Sequence, residues 1–180
     1  MELLPLLVDA LRNVRNAQFF RTELEYQGEL LAELRARIPN AGLPGDAIIE
    51  QEYQKRLRDH GIDVRPDLII HVPTPADGDV RQGNCVVFEL NHQAGPKEVA
   101  EDCANLDTVV RALNYPLAVF VNIDTRQTQA GHYRGFFRER LRCFAVRNAD
   151  KGVEIRHAQG QCDPRRAAVK ISDIKPTGMH

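Results

Sequence analysis

Apolar residues near the start of the chain recur every three or four positions, the spacing that places them on one face of a helix. This periodicity predicts a short helix over residues 2–15 and a second helix over residues 20–38. Pro39 and the segment AGLPG then end the helical pattern. Three short apolar runs follow, and they predict strands at 47–57, 65–72 and 85–91.

A helix and a further strand are predicted after these three strands. Apolar positions indicate a helix over about residues 97–114, and PLAVFVNI at 116–123 is typical of a strand buried on both faces. Residues 73–84 are rich in Pro, Gly and Asp, so we expect the second and third strands to form a hairpin with a long loop. The order helix, three strands, helix, strand predicts an α/β fold with a mixed sheet.

The pattern after Thr125 is less regular. A loop and then a helix are predicted within 126–141, followed by two strands, RCFAVRN and GVEIRHA, around a turn at 148–152. Residues 159–180 are polar with few apolar anchors and predict a loosely ordered tail. A chain of 180 residues is long enough for one domain with a real core, which we assign to residues 1–180.

Composition excludes several classes of protein. No apolar run in the sequence approaches the roughly 20 residues that cross a membrane. The nucleotide-binding patterns GxxxxGK[ST] and GxGxxG are absent from the sequence, so we expect no use of a nucleoside triphosphate. Four scattered cysteines without a CxxC pair favour reduced thiols and a cytoplasmic location.

Charge is unevenly distributed along the chain, although the net charge is only −1. Residues 1–130 contain 13 basic and 20 acidic side chains, whereas residues 131–180 contain 11 and 5. A basic segment of this kind can contact phosphate in a sequence-independent manner, or it can be a solvated surface. The candidates for phosphate contact are Arg134, Arg138, Arg140 and Arg142. Arg138 and Arg142 would share a helix face if their segment is helical.

The predicted hairpin brings two carboxylates together. Asp67 stands at the start of one strand and Glu89 at the end of the next, so the two lie side by side in an antiparallel pair. Clustered carboxylates hold Mg²⁺ in an oxygen shell, and the cation promotes phosphodiester hydrolysis. The main-chain carbonyl of Leu90 is a further hard ligand. Taken alone, Asp67 can also be a turn residue bonded to its own backbone, and Glu89 can lie at a hydrated strand end.

The segments RPDLIIH and VVFELNH resemble the core motif of the PD-(D/E)XK nuclease superfamily. TELEYQGELLAEL at 22–34 resembles the acidic first helix of several of its families, and IIEQEY at 48–53 resembles their first strand. Residues 97–123 resemble the helix and central strand that follow, so the resemblance covers about residues 20–123. It implies a restriction-endonuclease-like mixed-sheet core flanked by helices, to which this chain adds a short N-terminal helix and the basic, polar C-terminal extension 131–180.

The resemblance also implies a nuclease that depends on Mg²⁺ or Mn²⁺ and hydrolyses phosphodiester bonds of DNA. Asp67, Glu89 and the carbonyl of Leu90 would bind the metal. Two further acidic residues would complete or orient the metal shell. These are Glu23 and Glu52, with Glu50 as the fallback for the latter.

Two residues of the second predicted helix have alternative interpretations. Glu23 has acidic neighbours, so it can belong equally to a solvated helix face. Gln27 falls on the apolar stripe of the same helix, where a buried amide needs hydrogen-bond partners. The site is one source of such partners and the backbone is the other.

One residue departs from the superfamily pattern, because Asn91 occupies the position of its lysine. Asparagine forms hydrogen bonds but carries no charge and transfers no proton. Lys97 can reach back to supply the missing charge, or it can be a solvated lysine in the first turn of its helix. Two functions therefore stay open, a nuclease and a catalytically inactive nuclease-fold protein. The inactive protein would bind DNA or protein, as a homodimer or within a larger complex.

Overall fold

A computed structural model describes residues 3–40, 43, 46–51, 62–73, 75, 78–159 and 169–170. Its helices in that part of the chain are α1 (Leu3–Asn13), α2 (Glu23–Arg37) and α3 (Pro96–Leu113). Its strands are β1 (Ile48–Gln51), β2 (Leu68–His71), β3 (Asn84–His92), β4 (Leu117–Ile123), β5 (Leu141–Ala149), β6 (Gly152–Gln159) and β7 (Val169–Lys170). Short 3₁₀ helices lie at Ala17–Phe20, Ile38–Asn40 and Ala130–His132.

The start of helix α2 is fixed by its N-cap, Thr22. The Oγ1 atom of Thr22 accepts a hydrogen bond from the main-chain nitrogen of Glu25 at 3.2 Å, and the hydroxyl donates to the Glu25 carboxylate at 3.0 Å. The helix therefore begins at Glu23, with an acidic first turn that suits the positive end of the helix dipole.

All seven strands form one sheet in sequence order. Strands β1, β2 and β3 are antiparallel, β3, β4 and β5 are parallel, and β5, β6 and β7 are antiparallel. Helix α3 makes the crossover between the parallel strands β3 and β4. The predicted mixed α/β sheet flanked by helices is confirmed, and so is the hairpin of β2 and β3.

Each face of the sheet has its own hydrophobic core. Phe88 and Leu90 of β3 pack with α1 and α2, whereas Val87 packs with the apolar side of α3. Because side chains alternate along a strand, Glu89 and Asn91 leave β3 on the same face as Val87. Helix α3 thus covers the face on which the candidate chemistry lies.

The prediction of a helix within residues 126–141 is wrong. After the 3₁₀ helix Ala130–His132 the chain runs through turns until β5 begins at Leu141. Asp107 of α3 explains this course, because its Oδ1 accepts hydrogen bonds from the Tyr133 hydroxyl at 2.5 Å and from the main-chain nitrogen of Phe136 at 3.0 Å. Arg138 and Arg142 therefore do not share a helix face.

The C-terminal hairpin is confirmed, since β5 and β6 pair around a turn that ends at Gly152 with φ of +110°. Residues 52–57 of the first predicted strand lie outside the described residues. Most of the predicted tail, 159–180, also lies outside them. The exceptions are Gln159, the last residue of β6, and residues 169–170, which pair with β6. In the ranges that the structure describes, no helix is both long and apolar enough to cross a bilayer.

Candidate metal centre

Asp67 and Glu89 face each other across the β2–β3 hairpin. Leu68 pairs with Phe88, and the main-chain nitrogen of Asp67 donates to the carbonyl of Phe88 at 3.2 Å. Asp67 therefore lies at the end of the ladder against β3, and its side chain forms a hydrogen bond with that of Glu89. The hairpin argument from the sequence predicted this pairing.

The position of Asp67 is fixed from two sides. Its Oδ2 atom accepts a hydrogen bond from the main-chain nitrogen of Leu90 at 2.7 Å. Its own carbonyl accepts a hydrogen bond from Nε2 of Gln27 at 3.1 Å, so the buried amide of α2 bonds the backbone of a site residue. The Leu90 side chain is buried in the core on the opposite face, so only the main chain of Leu90 faces the site.

Glu89 is the most deeply buried carboxylate of the site, with a relative exposure of 6%. Burial raises its pKa to about 10, and the carboxylates of Asp67, Asp102 and Glu23 and a hydrogen bond with Asp67 add to this effect. Glu89 is therefore protonated at neutral pH when no cation is bound. Its Oε1 atom is buried and has no hydrogen-bond partner among the described residues.

Asn91 forms a hydrogen bond with Asp102 of α3, from Nδ2 to Oδ2 at 3.0 Å. Burial raises the pKa of Asp102, the bond from Asn91 opposes this, and the charge of Asp67 raises it further. Asp102 was not among the residues that the sequence indicated. The helical spacing of the sequence could have indicated it, because Asp102 lies three positions after the buried Val99 and directly before the buried Cys103. A residue at such a position lies near the inward-facing stripe of the helix.

Glu23, the first residue of α2, completes the group. Burial raises its pKa to about 7, and the charges of Asp67 and Asp102 contribute in that order. Helix α2, strand β3, helix α3 and the residue before β2 thus supply four carboxyl groups that act on one another, and we call these the acidic cluster. Its members are Glu23, Asp67, Glu89 and Asp102.

The acidic cluster has the chemistry that a hard divalent cation needs. Its donors are all oxygen, which Mg²⁺ and Mn²⁺ prefer, and Glu89 contributes a buried oxygen without a partner in the described part of the chain. In the described ranges no three Asp, Glu, His or Cys side chains are already arranged to coordinate one ion. Hydrogen bonds within the protein hold the carboxyl groups instead: Glu89 bonds Asp67, Leu90 donates to Asp67, and Asn91 donates to Asp102. Coordination of a cation therefore requires that Glu89 release its proton.

Two other predicted site residues have partners outside the acidic cluster. The Lys97 side chain is 85% exposed and its Nζ lies 3.8 Å from the carboxylate of Glu101, as a solvated lysine in the first helical turn does. Glu50 bonds Nε2 of His71 at 2.7 Å. Glu52 lies outside the described residues. The structure therefore does not bring Lys97 into the acidic cluster.

The four arginines predicted to contact phosphate lie around the start of β5. Arg134, Arg140 and Arg142 donate hydrogen bonds to nearby main-chain carbonyls at 2.5–3.1 Å, which braces the turns around β4 and β5. Arg138 lies in the turns before β5 and is partly buried. Arg142 is in register with Val119, which is in register with Phe88, so Arg142 leaves the sheet on the face opposite to Glu89.

Comparison of the sequence with protein-family models and with curated proteins found no match. Comparison of the structure with solved structures found no match either. The function is therefore inferred from the acidic cluster and from the order of the elements that carry it.

Proposed function

We propose that the chain is a divalent-metal-dependent nuclease of the PD-(D/E)XK type, which hydrolyses phosphodiester bonds of DNA. The observation that carries this proposal is the convergence of three carboxylates on Glu89, whose Oε1 is buried and has no partner in the described residues. An isolated acid is unfavourable in such a position unless a cation or a proton compensates its charge.

The fold supports the assignment to a restriction-endonuclease-like core. The elements follow the order α2, β1, β2, β3, α3, β4, which is the order in which the sequence resembles the superfamily. Asp67 and Glu89 occupy the positions that resemble the two acidic positions of the motif, and a side-chain hydrogen bond joins them at the end of the β2–β3 hairpin.

Each residue of the site has a defined task in this proposal. Asp67, Glu89 and Glu23 would hold Mg²⁺ or Mn²⁺, and the carbonyl of Leu90 would be an additional ligand. Gln27 and the main-chain nitrogen of Leu90 orient Asp67 through their hydrogen bonds. When bound, the cation acidifies water and neutralises negative charge on the phosphate.

The alternative is a catalytically inactive protein of the same fold that binds DNA or protein. One observation favours it, because the position of the superfamily lysine holds Asn91, which cannot transfer a proton, while Lys97 lies on the exposed face of α3. The cluster itself argues against it, since an inactive site has no physical need for several converging acids.

Cleavage of single- and double-stranded DNA in Mg²⁺ and in Mn²⁺ separates the two functions. The variants Asp67→Asn and Glu89→Gln keep the size of each side chain, and Glu101→Gln is the matched control on the exposed face of α3. Both site variants should lose more than about 100-fold in rate, because loss of outer-shell partners of a metal ligand already costs roughly 10–100-fold. Cleavage that persists in both variants would refute the site. Absence of cleavage by the unaltered chain in either metal would favour the inactive module.

A further inference from the structure

The link between Asn91 and Asp102 connects strand β3 to helix α3 within the acidic cluster. Asn91 leaves β3 on the same face as Glu89, two residues further along, and its Nδ2 lies 3.0 Å from Oδ2 of Asp102. The amide therefore engages a carboxylate of the cluster.

An amide and an ammonium affect a carboxylate differently. A lysine in the place of Asn91 would form an ion pair with Asp102 and neutralise its charge. The amide of Asn91 fixes the orientation of the carboxylate by one hydrogen bond and leaves the negative charge in place. Asp102 therefore stays an oxygen donor that is available to a cation.

The surroundings of Asp102 are consistent with this role. It is partly buried on α3, and the charges that raise its pKa come from Asp67, Glu101 and Glu98. Glu89, with its buried and unpartnered Oε1 in the described residues, stands on the same face of the sheet. A hard cation adjacent to Asp67 and Glu89 would compensate the charge of Asp102 as well.

We propose that Asp102 is a further ligand of the divalent cation and that Asn91 is the residue that positions it. Asn91 is then not a replacement for a catalytic lysine. This inference rests on the metal site of the proposed function, and it adds a ligand from α3 that the superfamily resemblance does not supply.

The affinity of the full chain for Mn²⁺ tests the inference without any measurement of cleavage. The signal of free Mn²⁺ in electron paramagnetic resonance gives the dissociation constant for the unaltered chain and for each variant. Asp102→Asn should weaken binding by about tenfold or more, and Asn91→Ala by roughly 10-fold, the lower end of the effect of an outer-shell partner. Glu101→Gln, which removes a charge from the adjacent position of the same helix, should change it by less than about threefold.

Two further variants separate a role in positioning from a role in packing. Asn91→Lys should weaken Mn²⁺ binding, because its ammonium would pair with Asp102. Asp102→Asn should raise the melting temperature of the cation-free protein while it weakens Mn²⁺ binding, because it removes a charge from the cluster and keeps the side-chain shape. A merely structural Asp102 would lower the melting temperature and leave the affinity for Mn²⁺ unchanged.

The outcomes distinguish this inference from the proposed function. If Asp67→Asn abolishes Mn²⁺ binding and Asp102→Asn binds as the unaltered chain does, the role of Asp102 is overturned and the metal site stands. If the unaltered chain binds no Mn²⁺, both proposals are overturned. Weaker binding in Asp102→Asn and Asn91→Ala, with little change in Glu101→Gln, supports the assignment.

Discussion

Replacement of Glu89 by glutamine should stabilise the cation-free protein, by an amount that grows with pH. Burial and the neighbouring carboxylates raise the pKa of Glu89 from 4.5 to about 10, so the folded protein retains a proton that the unfolded chain releases. For a carboxyl group whose pKa is raised on folding, stability is highest below pH 4.5 and falls as the pH rises toward the folded pKa. Glutamine carries no proton that can titrate, so the variant escapes this loss.

The magnitude at pH 7 depends on the pKa of the unfolded chain. Each pH unit above 4.5 lowers the free energy of unfolding by about 1.36 kcal/mol while the folded form stays protonated, which gives about 3 kcal/mol at pH 7. The result is insensitive to the folded pKa as long as this lies well above 7. Glutamine can still donate a hydrogen bond to Asp67, as the protonated acid does, so the local geometry is retained.

Guanidinium unfolding in EDTA at several pH values between 5 and 8 measures this effect. The difference between Glu89→Gln and the unaltered chain should be small at pH 5 and about 3 kcal/mol at pH 7, or roughly 6–12 °C in Tm. The exposed control Glu101→Gln should stay within about 0.5 kcal/mol at each pH. A difference that does not change with pH, or a variant that is less stable at pH 7, would refute the protonated buried Glu89.

Two other predictions follow from the same structure. The rise in Tm caused by Mn²⁺ should be larger at pH 8 than at pH 6, because Glu23, whose pKa is raised to about 7, releases its proton over that interval. Equal rises in Tm at both pH values would contradict this prediction. The same measurement with Mg²⁺ provides a second comparison. Gly135→Ala should cost about 1–3 kcal/mol in urea unfolding, because its Cβ would overlap the Tyr133 hydroxyl and the Asp107 carboxylate. Gly131→Ala, whose Cβ would meet no atom within 4 Å, is its control; similar losses in both variants would rule out the clash as the cause.

The hairpin was predictable because its determinants are local. Short apolar runs bounded by turn residues define β2 and β3, and the period of two residues then sets which side chains share a face. The proximity of Asp67 and Glu89 follows from this hairpin, although the two residues are distant in sequence. The partner of Gln27 was not predictable to the same degree, since it depends on how α2 packs against the sheet.

The positions of Asp102 and of the segment around Arg138 could not be predicted from sequence patterns alone. Asp102 joins the cluster because α3 crosses the sheet above Asn91, and the crossing geometry is a property of tertiary packing. The segment around Arg138 was predicted as a helix, but hydrogen bonds donated to Asp107, which is distant in sequence, hold it in turns. Long-range polar contacts of this kind override local helical propensity.

Binding of the proposed cation would offset the cost of the acidic cluster, and this would connect stability to function. Retention of a proton by Glu89 lowers the stability of the folded chain by about 3 kcal/mol at pH 7. A ligand at about 100 times its dissociation constant stabilises the folded state by roughly 2.7 kcal/mol. In a metal centre, cation binding therefore restores the free energy of unfolding that the buried acids remove in the cation-free form. Acids that are close together by coincidence would gain no such stabilisation. Addition of Mn²⁺ should accordingly bring the unaltered chain close to the stability of Glu89→Gln, and it should leave the variant almost unchanged.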